Sequence, residues 1–474
     1  MIRSSSASVF CFSTVRRSLR LSSNYSTASL KDDDTVVVSY ARTPIGKLGG
    51  SLATFAAPRL ASHAIKAAIE RSKLPVNLIE EAFFGNVVSA GVGQAPARQA
   101  VIYAGLPLHV ASTTINKVCA SGMKAIMLAS LSIRAGYRQG CIAGGMESMS
   151  NIPYYLPGAR SGYRLGNKEV VDGLINDGLW DIYNDQHMGN CGEACASAFE
   201  ISREEQDKFA IMSYARAATA WSSGKFDNEV VPIEILGKRG ELGKFVTRDE
   251  EFSSIQVDKV KSLKPAFKKE GGTITAANSS KINDGAAAMV IISGKLCKEL
   301  NLMPLFRIRG FGDAERDPVE FTTAPSDAIP KALLHAGVNL SDIEYHEINE
   351  AFAVVPLVNA RSITIHSIIL HNICLSSLLE ISIILYYRIL NLDLGKVNVF
   401  GGAISLGHPI GCSGARIVGT LYNVLKDRDA TLGCASICNG KSLILITHSA
   451  TKYLNFDLVL CFRCNYSYAE MWIA

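Results

Sequence analysis

The chain has 474 residues, 48% of them hydrophobic and only 19% charged, which suffices to bury several cores and excludes global disorder. At about 150 residues per domain, this length suggests roughly two to four domains. The net charge of +5 rests mostly on Arg3, Arg16, Arg17 and Arg20, so the rest of the chain is near neutral and a basic nucleic-acid-binding body is not indicated. Twelve dispersed Cys are too sparse for a disulfide scaffold, contain no paired CxxC…CxxC for a zinc ribbon, and fit a reducing compartment.

Residues 1–30 are rich in Ser and Arg and hold no acid. They lack a long apolar run, so they read as an organellar transit peptide, mitochondrial more than plastid. A cytoplasmic location is the alternative. From Thr35 onward, short apolar runs alternate with helical stretches. Thr35–Val38 reads as a buried strand, Arg59–Arg71 as an amphipathic helix and Phe83–Val88 as a second strand. The loop Ser89–Pro96 follows, and Gly140–Gly144 and Ala287–Ile292 read as further buried strands. This alternation predicts a layered α/β architecture. Residues 153–272 are more polar, more charged and richer in turns, with a helix near Arg203–Ser222, and read as an excursion from the core. A second α/β stretch begins near Pro304.

Two segments break this texture. Residues 362–387 carry one formal charge, Glu380. The uncharged run Ser362–Leu379 is long enough to cross a bilayer. It is studded with Ser, Thr, Asn and His and flanked by soluble, motif-bearing sequence, so no membrane association is expected. Lys441–Ala474 has neither Gly nor Pro and little periodicity. Its Cys461 and Cys464 have no partner pair with which to bind zinc.

Four short motifs carry chemistry. In NKVCASG (116–122), Cys119 stands in a loop before the helical run Met123–Ala135, where N–H groups and the helix dipole favour a thiolate. In GGAISLGHPIGCSGAR (401–416), closely spaced glycines bracket His408 in a tight loop before a helix. In HEINEAFA (346–353), Asn349 could position a water as a hydrogen-bond donor, although Asn is also a common helix cap. In CASICNG (434–440), Cys438 precedes an Asn-Gly turn and is a second candidate thiol for acid–base work. Each motif alone is weak, since a lone Cys is more often a buried structural residue. Other signals fail. GVGQAP (91–96) has Pro where a dinucleotide loop needs its third Gly. His187, Cys191 and Cys195 share helical spacing but lack a fourth zinc ligand.

Taken together these blocks resemble the thiolase family, in particular its acetyl-CoA C-acetyltransferases. The resemblance runs from about Thr35 to Val358 and resumes from about Arg388 to Gly440. ARTPIGKLGG (41–50), GNVVSAGVGQAPARQA (85–100), AGGMESMS (143–150) and TAANSSKINDGAAAM (275–289) support it. It implies a five-layered αβαβα fold of two similar halves with an inserted loop domain. The N-terminal half would be 35–152 and 273–300, the loop domain 153–272 and the C-terminal half 304–440.

The resemblance also implies roles. Cys119 would be the nucleophile that takes an acyl group as a thioester. His408 would accept its proton and later help hold the thioester enolate oxygen. Cys438 would remove the α-proton of a second acetyl-CoA. A water on Asn349 would complete one oxyanion hole, and the amides of Cys119 and Gly440 a second. Ser280, Lys259, His187, Met188 and Phe352 would contact the acyl-CoA. No cofactor is required, coenzyme A thioesters being substrates. Some members bind potassium through positions matching Tyr214, Ala276, Ala277, Ser279 and Ile404. The implied reaction is reversible condensation of two acetyl-CoA to acetoacetyl-CoA plus CoA, as used in fatty-acid β-oxidation or the mevalonate pathway. The implied assembly is a homotetramer or homodimer.

The chain departs from the family in two places. Residues of about 361–387 are extra, and Lys441 stands where the family continues with glycine, followed by an atypical tail, 441–474. Leu443–Ile446 remains apolar enough to form a terminal strand. Alternatives are therefore a longer-chain 3-ketoacyl-CoA thiolase and a catalytically impaired, thiolase-shaped protein.

Overall fold

The computed structural model describes residues 30–237, 243–361, 392–438 and 441–449, the last by backbone alone. The expected transit peptide, the insertion at about 361–387, Gly440 and the chain beyond Ser449 therefore lie outside the described residues.

The first half builds strands β1 (Thr35–Arg42), β2 (Glu81–Gly85), β3 (Ala111–Ile115), β4 (Gly140–Ser148) and β5 (Asn283–Ser293), with helices α1 (Ala57–Ser72), α2 (Pro96–Tyr103) and α3 (Ser121–Arg134) between them. The excursion contributes α4 (Met188–Ala198) and α5 (Arg203–Ser222). The second half builds β6 (Phe306–Glu315), α6 (Pro325–Ala336), β7 (Tyr345–Ile348), α7 (Val354–Ala360), α8 (Ile410–Asp427), β8 (Leu432–Cys438) and β9 (Lys441–Ser449).

These strands hydrogen-bond in the order β7-β8-β9-β6-β1-β5-β4-β2-β3, with Gly46–Lys47 added beside β5. The order repeats itself. From the outer edge the first half runs third, second, fourth, fifth and first strand. In the second half, Val397 bridges β7 in parallel where a third strand would lie, followed by β7, β8, β9 and β6. Pair directions repeat as well. β2 joins β3 and β4 in parallel, as β7 joins β8 and the Val397 bridge, while β5 and β9 are antiparallel to both neighbours. The halves meet where β1 pairs with β6.

Side-chain alternation sorts the layers. On β1, Val36 and Val38 join the core against α1 and α2, whereas Val37 faces α3 and α8. On β5, Ala288, Val290 and Ile292 face α1, and Ala287, Met289 and Ile291 face α3 and α8. Strands buried on both faces read as continuous apolar runs, which is why they were visible in the sequence. In the second half, α6 covers the outer face through Ile329, Ala332 and Leu333, packed on Ala314, Leu432 and Cys434. The stack is thus helix, sheet, helix, sheet, helix, with α3 and α8 at its centre.

The excursion is held to this frame by charge and caps. Arg42, at the end of β1, pairs with Glu229 at 2.6 Å and Asp249 at 2.7 Å, all fully buried. Helix α5 spans the expected 203–222, and its start is set by the Ser202–Glu205 capping box. Strand β9 contains the apolar run Leu443–Ile446 and lies between β6 and β8. The terminal strand expected at Leu443–Ile446 thus forms, and it extends over 441–449, so the atypical tail of 441–474 begins with an interior strand of the sheet.

Candidate active site

Cys119 and His408 occupy equivalent places in the two halves, each in the loop just before a central helix. Their helices touch at the N-terminal ends, and glycines allow it. A Cβ on Gly411 would lie 2.5 Å from the Met146 carbonyl, and one on Gly122 would lie 2.9 Å from the Gly411 carbonyl. No larger residue fits such backbone contacts.

The Cys119 loop is tightly wound. Val118 has φ 46, a left-handed conformation that a β-branched residue rarely adopts. Side chains secure this turn. Ser121 Oγ accepts from the Lys117 N–H at 2.8 Å and donates to the Val118 carbonyl at 2.6 Å. Asn116 Oδ1 accepts from the Val118 N–H at 3.1 Å. Cys119 keeps partial exposure. Burial of its sulfur, with a smaller push from the Glu147 carboxyl, raises the thiol to about 12 against a favourable backbone hydrogen bond. The helix N-terminus alone thus leaves it a thiol, and a base is required.

His408 supplies one. It is 4% exposed, and burial, reinforced by the Arg416 charge, lowers the imidazole to about 3, so it is neutral. Its backbone N–H donates to Asn283 Oδ1 at 2.8 Å. Its Nδ1 lies 2.6 Å from Ser413 Oγ, which also donates to the Pro409 carbonyl at 3.0 Å. With its one proton on Pro409, Ser413 accepts from Nδ1–H, and Nε2 carries the free lone pair. Nε2 is buried and has no hydrogen-bond partner among the described residues.

Cys438 ends β8, fully buried. Burial raises its thiol well above the ordinary value, and the nearby Cys119 sulfur pushes it further. Asn349 follows β7, the strand beside β8. Its N–H donates to the Ser436 carbonyl at 2.9 Å, yet both atoms of its buried side-chain amide lack partners among the described residues. A buried primary amide without partners costs stability and points to a water or ligand as its counterpart.

Around Cys438 lies an apolar wall. Phe352, Ile348, Cys191 and Cys195 join it in one core cluster, with Met188 and Phe267 packed against them. His187 stacks on Phe267 at 4.7 Å, and Phe267 meets Phe352 edge-on at 6.0 Å. His187 also caps α4, its Nδ1 accepting from the Gly189 N–H at 3.0 Å. Ser280 is tied to the same wall, its N–H donating to the Ala351 carbonyl at 2.9 Å. Lys259 differs from these, being exposed on the one-turn helix Val257–Val260.

Tyr214 and Ile404 belong to the Cys438 cluster, and Ala276, Ala277 and Ser279 form the loop before Ser280. The ammonium of Lys281 donates to the carbonyls of Ala276 and Ser279. Beside the nucleophile loop, a cavity of about 920 Å³ is lined by Lys117, Val118, Trp180, Tyr183 and Met188, without Cys119 or His408 themselves.

Two supports were not singled out from sequence. Glu147 accepts from Asn86 Nδ2 at 2.7 Å, from the Val87 N–H at 2.9 Å and from the Gly411 N–H at 3.0 Å. It thereby clamps the loop after β2 to the first turn of α8. Ser413 is the other. Its spacing from His408 within GHPIGCS was the available signal.

Models of the thiolase N-terminal and C-terminal domains match residues 35–295 and 302–445. The chain is 47% identical over 416 residues to acetyl-CoA acetyltransferase 2 of Arabidopsis thaliana, covering 88% of this chain and 96% of that protein. It is 48% identical over 408 residues to the mitochondrial acetyl-CoA acetyltransferase of Rattus norvegicus, covering 86% and 89%. The solved structure of the Acat5 thiolase from Ascaris suum in complex with coenzyme A matches with a TM-score of 0.77 and 40% identity, covering 88% of this chain and all of that one. Repeated halves, a central helix pair with Cys119 and His408 at its ends, and these likenesses lead to one conclusion: the chain belongs to the thiolase family.

Proposed function

We propose that the chain is an acetyl-CoA C-acetyltransferase, joining two acetyl-CoA into acetoacetyl-CoA and CoA and running the thiolytic reverse. What supports this reading is a pair of thiols near enough for Cys119 to raise Cys438, together with the buried His408 Nε2 and Asn349 amide, which have no partners among the described residues. One thiol suffices for acyl transfer. A second is what deprotonation next to a thioester adds.

In the first half-reaction, Cys119 Sγ attacks the acetyl-CoA carbonyl while His408 Nε2 takes the thiol proton. The carbon–sulfur bond to CoA breaks, and the CoA thiolate leaves with the proton of the Cys438 thiol, so that Cys438 becomes the thiolate and His408 keeps its proton on Nε2. In the second, Cys438 takes an α-proton from a new acetyl-CoA. The enolate oxygen rests against Nε2–H of His408 and a water on Asn349. Ser413 accepts from Nδ1–H in both halves, which keeps Nε2 as the nitrogen that takes and returns the proton. The carbanion then attacks the Cys119 thioester, and Cys119 leaves with the proton that His408 Nε2 returns, while Cys438 retains the α-proton as a thiol.

Ser280, His187, Met188 and Phe352 line the acyl-pantetheine path in this reading, with Lys259 near the nucleotide and Gly440 completing the second oxyanion hole. A mitochondrial location is supported by the acid-free, Arg-bearing first 30 residues. A homo-oligomer, tetramer or dimer, is supported by β3, an edge strand none of whose residues is buried. The test is thiolysis of acetoacetyl-CoA by CoA on the expressed full chain, with intact-mass detection of an acetyl adduct. Ordinary turnover with the adduct on Cys119 is expected; absence of both rejects the reading.

A further inference from the structure

Residues 275–281 form the loop that carries Ser280, and two contacts lock it to the segment bearing Asn349 and Phe352. Ser279 bridges Phe352, and the Ala353 N–H donates to the Asn278 carbonyl at 2.8 Å. The shape of this loop therefore sets the wall of the acyl-CoA path. Buried carbonyl oxygens of such a loop need a donor or a cation as partner.

The resemblance assigns that charge to a potassium ion at Tyr214, Ala276, Ala277, Ser279 and Ile404. The residues present do not fit a free ion. Lys281 Nζ donates to the carbonyls of Ala276 and Ser279, the latter at 3.2 Å. It also stands 6.0 Å from the centroid of the buried Tyr214 ring. Three of the five expected positions therefore already face an ammonium. Burial lowers the Lys281 ammonium to about 8 against the opposing pull of the Glu251 carboxylate, so it stays mostly charged at neutral pH. A second monovalent cation among the same oxygens would be repelled by the first. An ammonium carries the charge of potassium in a compact head with three donors, so the exchange preserves the function of the ion.

We propose that Lys281 is a built-in monovalent cation, its ammonium replacing potassium and making the acyl-CoA loop independent of added salt. No ion needs to be captured, because the chain brings its own charge on a side chain two residues from Ser279.

The test compares the full chain with Lys281→Ala in equal ionic strengths of potassium, ammonium, sodium or choline chloride. Thermal unfolding is read in each salt, together with KM for CoA. Thermal unfolding does not depend on turnover, so the inference is judged separately from the assigned activity. The natural chain is expected to melt at the same temperature in all four salts. A saturable rise specific to potassium would overturn the inference without any variant. Lys281→Ala is expected to melt lower in choline and to recover in potassium or ammonium, with KM for CoA recovering in parallel. A variant that matches the natural chain in every salt, or one that no cation restores, would equally overturn it.

Discussion

His408 Nδ1 and Ser413 Oγ lie 2.6 Å apart across the first turn of α8, and Ser413 passes the hydrogen bond to the Pro409 carbonyl at 3.0 Å. This pair decides which imidazole nitrogen faces the substrate. Removing the hydroxyl in Ser413→Ala leaves Nδ1 buried and unpaired and frees the ring to choose its tautomer. Turnover should fall about 10- to 100-fold, as when a tautomer-fixing partner is lost elsewhere. Ser413→Thr retains the hydroxyl and should recover most of the rate. Equal loss in both variants, or an unchanged pH profile in Ser413→Ala, would reduce Ser413 to a packing residue.

The titration of the pair Cys119 and His408 has a definite sign. Burial raises the thiol to about 12 and lowers the imidazole to about 3. The resting pair is therefore neutral, not a thiolate–imidazolium pair. Alkylation of Cys119 by iodoacetamide should rise about tenfold per pH unit from about pH 6 to 9, without a plateau. A plateau near neutrality would mean a preformed thiolate and would contradict this site. His408 also makes folding pH-dependent. Its ordinary value is 6.5, so the unfolded chain takes up the proton first, and this contribution to stability is lost as pH falls from 6.5 toward 3.

Cys119 and Cys438 divide the chemistry, so their variants should fail differently. Cys119→Ala should take no acetyl group from acetyl-CoA, with turnover down by at least about 10⁴-fold. Cys438→Ala should still become acetylated on Cys119 and then stop, since no group removes the α-proton. Intact mass after mixing with acetyl-CoA distinguishes them. Acetylated Cys119→Ala, or a Cys438→Ala that condenses at the natural rate, would reverse the assignment.

Much of this was readable before folding, and the physical reason differs by residue. Cys119 and His408 announce themselves because each sits in a loop–helix junction whose small residues and glycines are local in sequence. The helix near 203–222 announced itself as a stretch, and the Ser202–Glu205 box, a local feature, fixes its start. Glu147 did not, because its partners Asn86, Val87 and Gly411 come from another strand end and another half. Lys281 did not, because its head is defined by how the chain from Ala276 curls back upon it. Of the strand Lys441–Ser449 only the apolar centre Leu443–Ile446 was legible, since Lys441 at one end and Thr447–Ser449 at the other gave no apolar signal. Residues whose meaning depends on a single loop are legible, and those that join distant strand ends are not.

Asn349 offers the sharpest separation of activity from stability. Neither atom of its buried side-chain amide has a partner among the described residues, so truncating it removes no hydrogen bond to them. An apolar residue of similar size, Asn349→Leu, replaces an orphaned polar group by one suited to its surroundings, and such exchanges are neutral or stabilising. The melting temperature should therefore hold or rise. Turnover should nevertheless drop by about 10²- to 10³-fold, the usual cost of one oxyanion-hole donor. Acetylation of Cys119 should persist, because the enolate forms only in the second half-reaction. Thermal unfolding, steady-state condensation and intact mass on one preparation read all three. A lower melting temperature with unchanged turnover would make Asn349 a structural residue and remove the water from the proposed oxyanion hole.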